Sequence, residues 1–267
     1  MLCVGALALI SRGVFGQSVM DSVPRTPHQQ KVYERNQRIS ELIRREEEGV
    51  LIYNKQFAFG IKLNSDGYGL SYEIGWMKSL RWTNLLQIEL NEKKSPKEYK
   101  ESVSDNPYTS GTSFIYGKQN YFYQLKVGFG QQYMIGGKGN KSGVAVSGIY
   151  AGGLSLGVLR PYYVQTTNNL GQIENIKYSG GDSANFLYNV YGGTGLGTGW
   201  NELSLKPGIH GKLALRFDYG RYNEVLSAIE VGMNAEYYFS QVPIMVIAPN
   251  HSFFLNGYIS ILFGKRK

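Results

Sequence analysis

From Phe57 to its end the chain alternates apolar and polar residues with a period of two, in eight successive stretches. In the last of them Phe253, Leu255, Ile259, Ile261 and Phe263 share one parity, and Asn256, Tyr258 and Ser260 share the other. Successive side chains of an extended strand point to opposite faces, so the pattern describes strands with a different solvent on each side. The stretches run to ten or more residues and the apolar parity carries almost no charge. An apolar face that long and uniform suits lipid, with the polar parity turned into a closed interior. The expected fold is all-β: an eight-stranded antiparallel up-and-down transmembrane barrel of the outer-membrane kind.

Composition agrees where it has something to say. No run of about 18 apolar residues exists, so no helical span is expected. Mean hydropathy is mildly negative, as in barrels, where lumen residues cancel lipid-facing ones. The net charge of +8 is scattered rather than gathered into a stripe. Nucleic-acid binding would need such a stripe with interleaved aromatics, and is set aside. Contact with anionic membrane lipid and lipopolysaccharide is the expected use of the surplus.

Three segments are expected. Residues 1–16 read as a signal peptide: an apolar stretch from Leu2 to Ile10, then Val14-Phe15-Gly16 before Gln17. It departs from the pattern in having no basic residues ahead of the apolar stretch, with Arg12 after it. Cleavage after Gly16 removes the single cysteine, Cys3, so no disulfide framework is expected. Residues 17–56 form a polar periplasmic segment with a charged helix over about 28–48, whose thin apolar stripe is Val32, Ile39, Leu42 and Ile43. Two readings stay open there: a solvated helix laced with ion pairs, or a helix that docks a partner through Ile39, Leu42 and Ile43. Residues 57–267 are the barrel.

Its strands are read at Phe57–Asn64, Tyr68–Trp76, Trp82–Leu90, Tyr121–Ile135, Val144–Val158, Ile209–Tyr219, Val225–Phe239 and from His251 onward. Ser65-Asp66-Gly67 is a strong hairpin signal. Connections at one end are short: 77–81, 136–143 and 221–224. The other end holds long loops over 92–116 and 166–205 and a medium one over 241–250, and only its Ser65 hairpin is tight. Short periplasmic turns and longer external loops are the outer-membrane arrangement. Trp76 and Trp82 flank the first short turn, where an interfacial aromatic girdle belongs.

The inward parity gives Lys62, Glu73, Glu89, Lys126, Lys212, Arg216, Asp218, Glu230 and Glu236. An eight-stranded barrel is just wide enough for its interior side chains to fill. Charges packed there must pair, because an unpartnered buried charge costs several kcal/mol. A plugged, ion-pair-laced interior is expected, with cross-strand pairs between the sixth and seventh strands; a narrow porin is the alternative and would need more strands.

Catalytic signals are thin. His251 and Ser252 are neighbours on one strand and point to opposite faces, which argues against a nucleophile–base pair. His210 lies on the inward parity. No CxxC, HExxH or EF-hand loop is present, and no metal or cofactor is expected. The glycine run 192–199 lacks the Gly-Lys-Ser/Thr ending of a phosphate loop and reads as a flexible external loop. Lys97 and Lys100, in the run Ser95 to Lys100, are candidates to pair with lipopolysaccharide phosphates or a partner's acids.

The alternation, Gln17 after the expected cleavage site, the Leu85–Lys97 stretch leading through Ser95-Pro96-Lys97-Glu98, and the Phe263-Gly264-Lys265 ending resemble small outer-membrane β-barrels of the Bacteroidota. That family's function is largely unassigned, so the resemblance implies fold and location only. The leading expectation is a non-enzymatic outer-membrane barrel that acts as an accessory or scaffold subunit of a larger machine for secretion, assembly or uptake. It would bind outer-membrane or periplasmic proteins through the helix and the long loops. The alternative from another class is a lipid-modifying hydrolase of the outer leaflet.

Overall fold

The structure is a computed structural model that describes residues 30–37, 40, 53–102, 113–139, 143–168, 170–180, 190–195, 197–220 and 224–267. The chain divides into two units, Met1–Arg44 and Arg45–Lys267. In the first, residues 30–37 form a helix that is exposed along its length. The expected signal peptide, and Ile39, Leu42 and Ile43, lie outside the described residues.

Among the described residues the second unit contains thirteen strands. They are β1 (Lys55–Asn64), β2 (Gly67–Met77), β3 (Trp82–Lys93), β4 (Lys100–Ser102), β5 (Ser113–Ile115), β6 (Asn120–Gly136), β7 (Ala145–Pro161), β8 (Tyr163–Thr167), β9 (Ile173–Lys177), β10 (Val190–Gly193), β11 (Ser204–Asp218), β12 (Val225–Val242) and β13 (His251–Arg266). Eight of them close a barrel in the ring order β1-β13-β12-β11-β7-β6-β3-β2. Each neighbours the next barrel strand along the chain, and β1 closes on β13 with Phe59 opposite Phe263 and Ile61 opposite Ile261. This is the up-and-down antiparallel barrel that the alternation implied.

The parity holds around the ring. Phe59, Ile61 and Leu63 on β1, Val127 and Phe129 on β6, Leu213 and Leu215 on β11 and Ile259, Ile261 and Phe263 on β13 stand outward and exposed. Soluble monomers rarely expose an apolar surface this continuous, and water would drive it together; lipid does not. Aromatics bound the belt at both ends. Trp76, Trp82 and Tyr219 lie at the end that holds Lys55 and Lys267, with Trp82 packed 4.7 Å from Tyr133. Tyr68, Tyr237, Phe239 and Phe253 lie at the far end. Among the described residues no helix is long and apolar enough to cross a membrane.

The tight β1–β2 turn depends on Gly67. A Cβ there would stand 1.9 Å from the Glu92 carbonyl oxygen, so the hairpin can lie against β3 only with glycine at this position.

The structure differs from the sequence reading at the far end. The first expected loop, over 92–116, begins only after β3 has run on to Lys93, and it contains the β4–β5 hairpin. The second, over 166–205, is bracketed by longer strands, since β7 reaches Pro161 and β11 begins at Ser204. β9 and β10 lie within it and form a three-stranded sheet with β8, which starts just ahead of it at Tyr163. The glycine run 192–199 is not wholly loop either, because Gly192 and Gly193 belong to β10 and pair with β8. Strands of three to five residues carry too few alternations to register as a period, and above the lipid belt nothing obliges outward residues to be apolar.

Candidate functional site: a filled lumen beneath a folded cap

The inward side chains build three zones along the barrel. In the middle is a charge network. All nine inward charges named from the sequence are buried: Lys62, Glu73, Glu89, Lys126, Lys212, Arg216, Asp218, Glu230 and Glu236. Arg216 sits between two carboxylates. Its Nη atoms donate to Glu73 at 2.5 and 2.7 Å, and its Nε and Nη2 donate to Glu230 at 3.0 and 2.6 Å. Lys212 meets Glu230 at 2.8 Å and Glu89 at 3.4 Å, and Lys62 meets Glu89 at 2.9 Å. Glu236 receives Lys126, Lys93 at 2.8 Å and the Gln124 amide at 2.7 Å.

The cross-strand expectation for β11 and β12 holds in part. Arg216 faces Glu230 across that ladder and pairs with it. Glu236 and Asp218 do otherwise: Glu236 turns to β3 and β6, and Asp218 bonds Arg266 and Lys138 at the end near the chain's last residue. Several bonds cross the lumen. β11 and β2 stand four places apart in the eight-membered ring, so the Arg216–Glu73 pair spans its diameter. The sequence reading missed Lys93, Lys138 and Arg266. Each lies at or beyond a strand end, where the apolar parity no longer marks which side is inward.

Both ends of this network are closed by apolar packing. Near the chain's last residue, Tyr53 is buried, bonds Thr83 at 3.0 Å and lies beneath the Arg266 guanidinium. At the far end, inward Phe122 and Tyr238 pack edge to face at 5.3 Å, with Phe254 beside them. The β12–β13 connection folds onto these rings and buries Ile244 and Met245. It is pinned by Asn120 Nδ2 donating to Pro243 O at 2.7 Å and by the Val246 N–H donating to Gly117 O at 2.8 Å.

Above the barrel the strands β4, β5, β8, β9 and β10 form a cap with its own core. Phe114, Tyr162, Val164 and Val190 are buried together, flanked by Ile115, Tyr116 and Ile176. Tyr162 accepts the Ile115 N–H at 3.0 Å, which ties the hairpin to the sheet, and burial pushes its phenol pKa up. Lys118 bonds Glu98 at 2.9 Å within the same region; burial outweighs the carboxylate and lowers its pKa. Arg160 stacks over Tyr121 at 4.3 Å and Trp200 at 4.9 Å, which fastens the cap to the outer wall. The cap's surface shows Tyr99, Leu170, Ile173 and Tyr191 exposed.

The remaining candidates fall as follows. Lys97 and Lys100 are exposed; Lys97 borders a cavity beside β13, and Lys100 opens β4. The structure brings His210 Nδ1 to 3.1 Å from Ser155 Oγ, a pairing hidden from the sequence because it depends on the β7–β11 register. Ser155 is buried, and the Glu236 carboxylate opposite His210 is engaged by Lys126, Lys93 and Gln124. Among the described residues no cluster of His, Cys, Asp and Glu could hold a metal ion.

No protein-family description matches the chain, and no curated protein matches it in sequence. Solved structures give distant likenesses. Ail, the attachment invasion locus protein of Yersinia pestis, aligns over 81% of this chain and 100% of its own at 9% identity, with a TM-score of 0.36. Neisserial surface protein A aligns over 80% and 96% at 9% identity with a TM-score of 0.37. The N-terminal β-barrel domain of Pseudomonas aeruginosa OprF aligns over 79% and 98% at 9% identity with a TM-score of 0.35. The fold assignment rests on the strand register, independently of these likenesses.

Proposed function

We propose that this chain is a non-enzymatic, non-conducting barrel of the bacterial outer membrane that serves as an accessory or scaffold subunit of a larger membrane complex. The observation that carries the reading is the contrast between its two parts. The lumen is filled by paired charges and shut by aromatic layers, whereas the cap has a hydrophobic core of its own and displays apolar side chains. A barrel that only anchored itself would have no need of a built head, and long connections that fold are commonly functional. Within the cap, β9 is an edge strand among the described residues; its first residue, Ile173, is exposed, as is Leu170 just before it. An open edge with flanking apolar side chains is the geometry that accepts a partner's strand. The N-terminal helix is a second docking element in this proposal, and the Bacteroidota resemblance supplies its setting.

Purification in gentle detergent followed by mass spectrometry tests it. The full chain should carry partner proteins that are lost when residues 164–192 are replaced by a short Gly-Ser connector. Recovery of both forms as lone monomers would refute the scaffold role.

A further inference from the structure

The barrel wall is not equally high all round. The β1–β2 hairpin is the one tight connection at the far end, and β1 stops pairing with β13 at Asn64 opposite Tyr258. The Ser65 N–H still donates to Gly257 O at 2.9 Å, but from His251 to Asn256 β13 has β12 on one side and no ladder on the other. A cavity of about 600 Å³ occupies this gap. Its sill is the hairpin tip, Ser65 and Asp66; one side is 93–97, the other is 251–255, and the β12–β13 connection roofs it. It touches Phe253 and Leu255, which face lipid, and also Phe254, which faces inward. A cavity that meets both faces of one strand lies along that strand's edge, so it opens sideways through the wall.

Charge and depth are specific as well. Lys93 is committed to Asp66 and Glu236, each at 2.8 Å. The nearby acids are engaged too: Glu92 accepts the Tyr68 hydroxyl at 2.6 Å, and Glu98 holds Lys118. Lys94 and Lys97 have no carboxylate partner among the described residues, and both border the cavity, with His251 on the opposite side. Lys94 Nζ stands 5.0 Å from the centre of the Tyr68 ring, in the far aromatic girdle. That girdle marks head-group depth. The cavity thus sets two lysines that have no carboxylate partner among the described residues beside an apolar wall of Val242, Phe253 and Leu255, and its volume is in the range of about 300–1,000 Å³ usual for small-molecule sites.

We infer that this lateral cleft binds a phosphorylated lipid of the outer leaflet, with its phosphate on Lys94 and Lys97 and its first acyl segment along Phe253 and Leu255. The inference rests on the membrane-barrel reading but not on the scaffold role. Ammonium–phosphate contacts supply the affinity, and the open strand edge admits a ligand still embedded in the leaflet.

Native mass spectrometry of the folded full chain, offered diphosphoryl lipid A, phosphatidylglycerol or phosphatidylcholine, tests it. The two phosphate-exposing lipids should be retained as one equivalent and phosphatidylcholine should not. Lys94→Gln with Lys97→Gln should weaken retention at least about tenfold, or about 1.4 kcal/mol. Ala248→Trp, which narrows the roof, should do the same with both lysines intact. Lys78→Gln with Lys265→Gln, at the other end of the barrel, should leave retention unchanged. Heat-dependent gel mobility confirms that each variant is a closed barrel, so loss of the fold is distinguished from loss of the site. Equal retention of phosphatidylcholine, undiminished retention by the double variant, or displacement by millimolar inorganic phosphate would overturn the assignment.

Discussion

Arg216 offers the sharpest test of the filled lumen. Its side chain is 1% exposed and makes four hydrogen bonds to two carboxylates, Glu73 and Glu230. Hydrogen bonds to charged groups are worth about 1.5–3 kcal/mol each, which sets an upper bound of about 6–12 kcal/mol if all four were independent. They are not independent, since they share one guanidinium, and Glu230 keeps Lys212 at 2.8 Å. Among the described residues Glu73 keeps only the Gln87 amide, at 3.0 Å. Removing one member of a buried pair costs about 3–5 kcal/mol, chiefly because a charge is left without its partner. Arg216→Met should therefore destabilise the barrel by about 3–5 kcal/mol. Adding Glu73→Gln should recover at least about 1–2 kcal/mol, since the stranded charge goes with it. The assay is urea unfolding of barrels refolded into lipid vesicles, followed by tryptophan emission. Because the pair is buried, the loss should be nearly the same at low and high salt. A single variant within about 0.5 kcal/mol of the parent, or a double variant no more stable than the single, would show that the lumen is wet and the pairing incidental.

Other consequences follow from the same geometry. Planar bilayers holding the purified chain should show no stepwise current, and steady ion-selective steps would contradict the closed interior. Gly67→Ala should lower the yield of folded, heat-resistant barrel, because its Cβ would meet the Glu92 carbonyl oxygen at 1.9 Å; a normal yield would mean that the hairpin can lift off β3. Burial raises the Tyr162 pKa above its ordinary value of 10.0, so the phenol's contribution is fully present below that pH and lost as pH rises through the higher folded value. Protease should consequently nick the cap faster at strongly alkaline pH. Tyr162→Phe, which leaves the Ile115 N–H without its acceptor, should loosen the cap by about 1 kcal/mol at neutral pH and flatten that dependence. An unchanged alkaline profile in the variant would count against it. Glu202 and Lys177 are paired but exposed, and each shifts toward its charged form. Glu202→Gln should leave the melting temperature unchanged at physiological salt, and a clear drop would mean the pair is structural.

What could be read in the sequence depended on how many residues share each physical cause. The eight barrel strands were legible because lipid imposes one rule on every outward position for ten or more residues. The inward charges followed directly, since a strand with a known outward parity has a known inward one. Lys93, Lys138 and Arg266 escaped because they sit where strands leave the belt. The apolar inward residues Leu85, Phe122 and Ile149 escaped because a polar-lumen rule has no place for them. The cap escaped for a related reason, as its strands are short and answer to a local core rather than to lipid.

Pairing across the lumen required something no single strand contains. Which carboxylate meets Arg216 is set by ring closure and strand stagger, which bring β2 opposite β11. The same closure explains the cleft. The β1–β2 hairpin, cut short by Ser65-Asp66-Gly67, leaves β13 exposed along its upper edge. A turn that looked like ordinary punctuation in the sequence thus becomes the sill of a lateral opening. Lys94 and Lys97 gain their significance from standing beside it. Lengthening that hairpin by a strand-compatible insertion after Asp66 should therefore abolish lipid retention without touching a single lysine. Persistence of retention would locate the lipid elsewhere on the barrel.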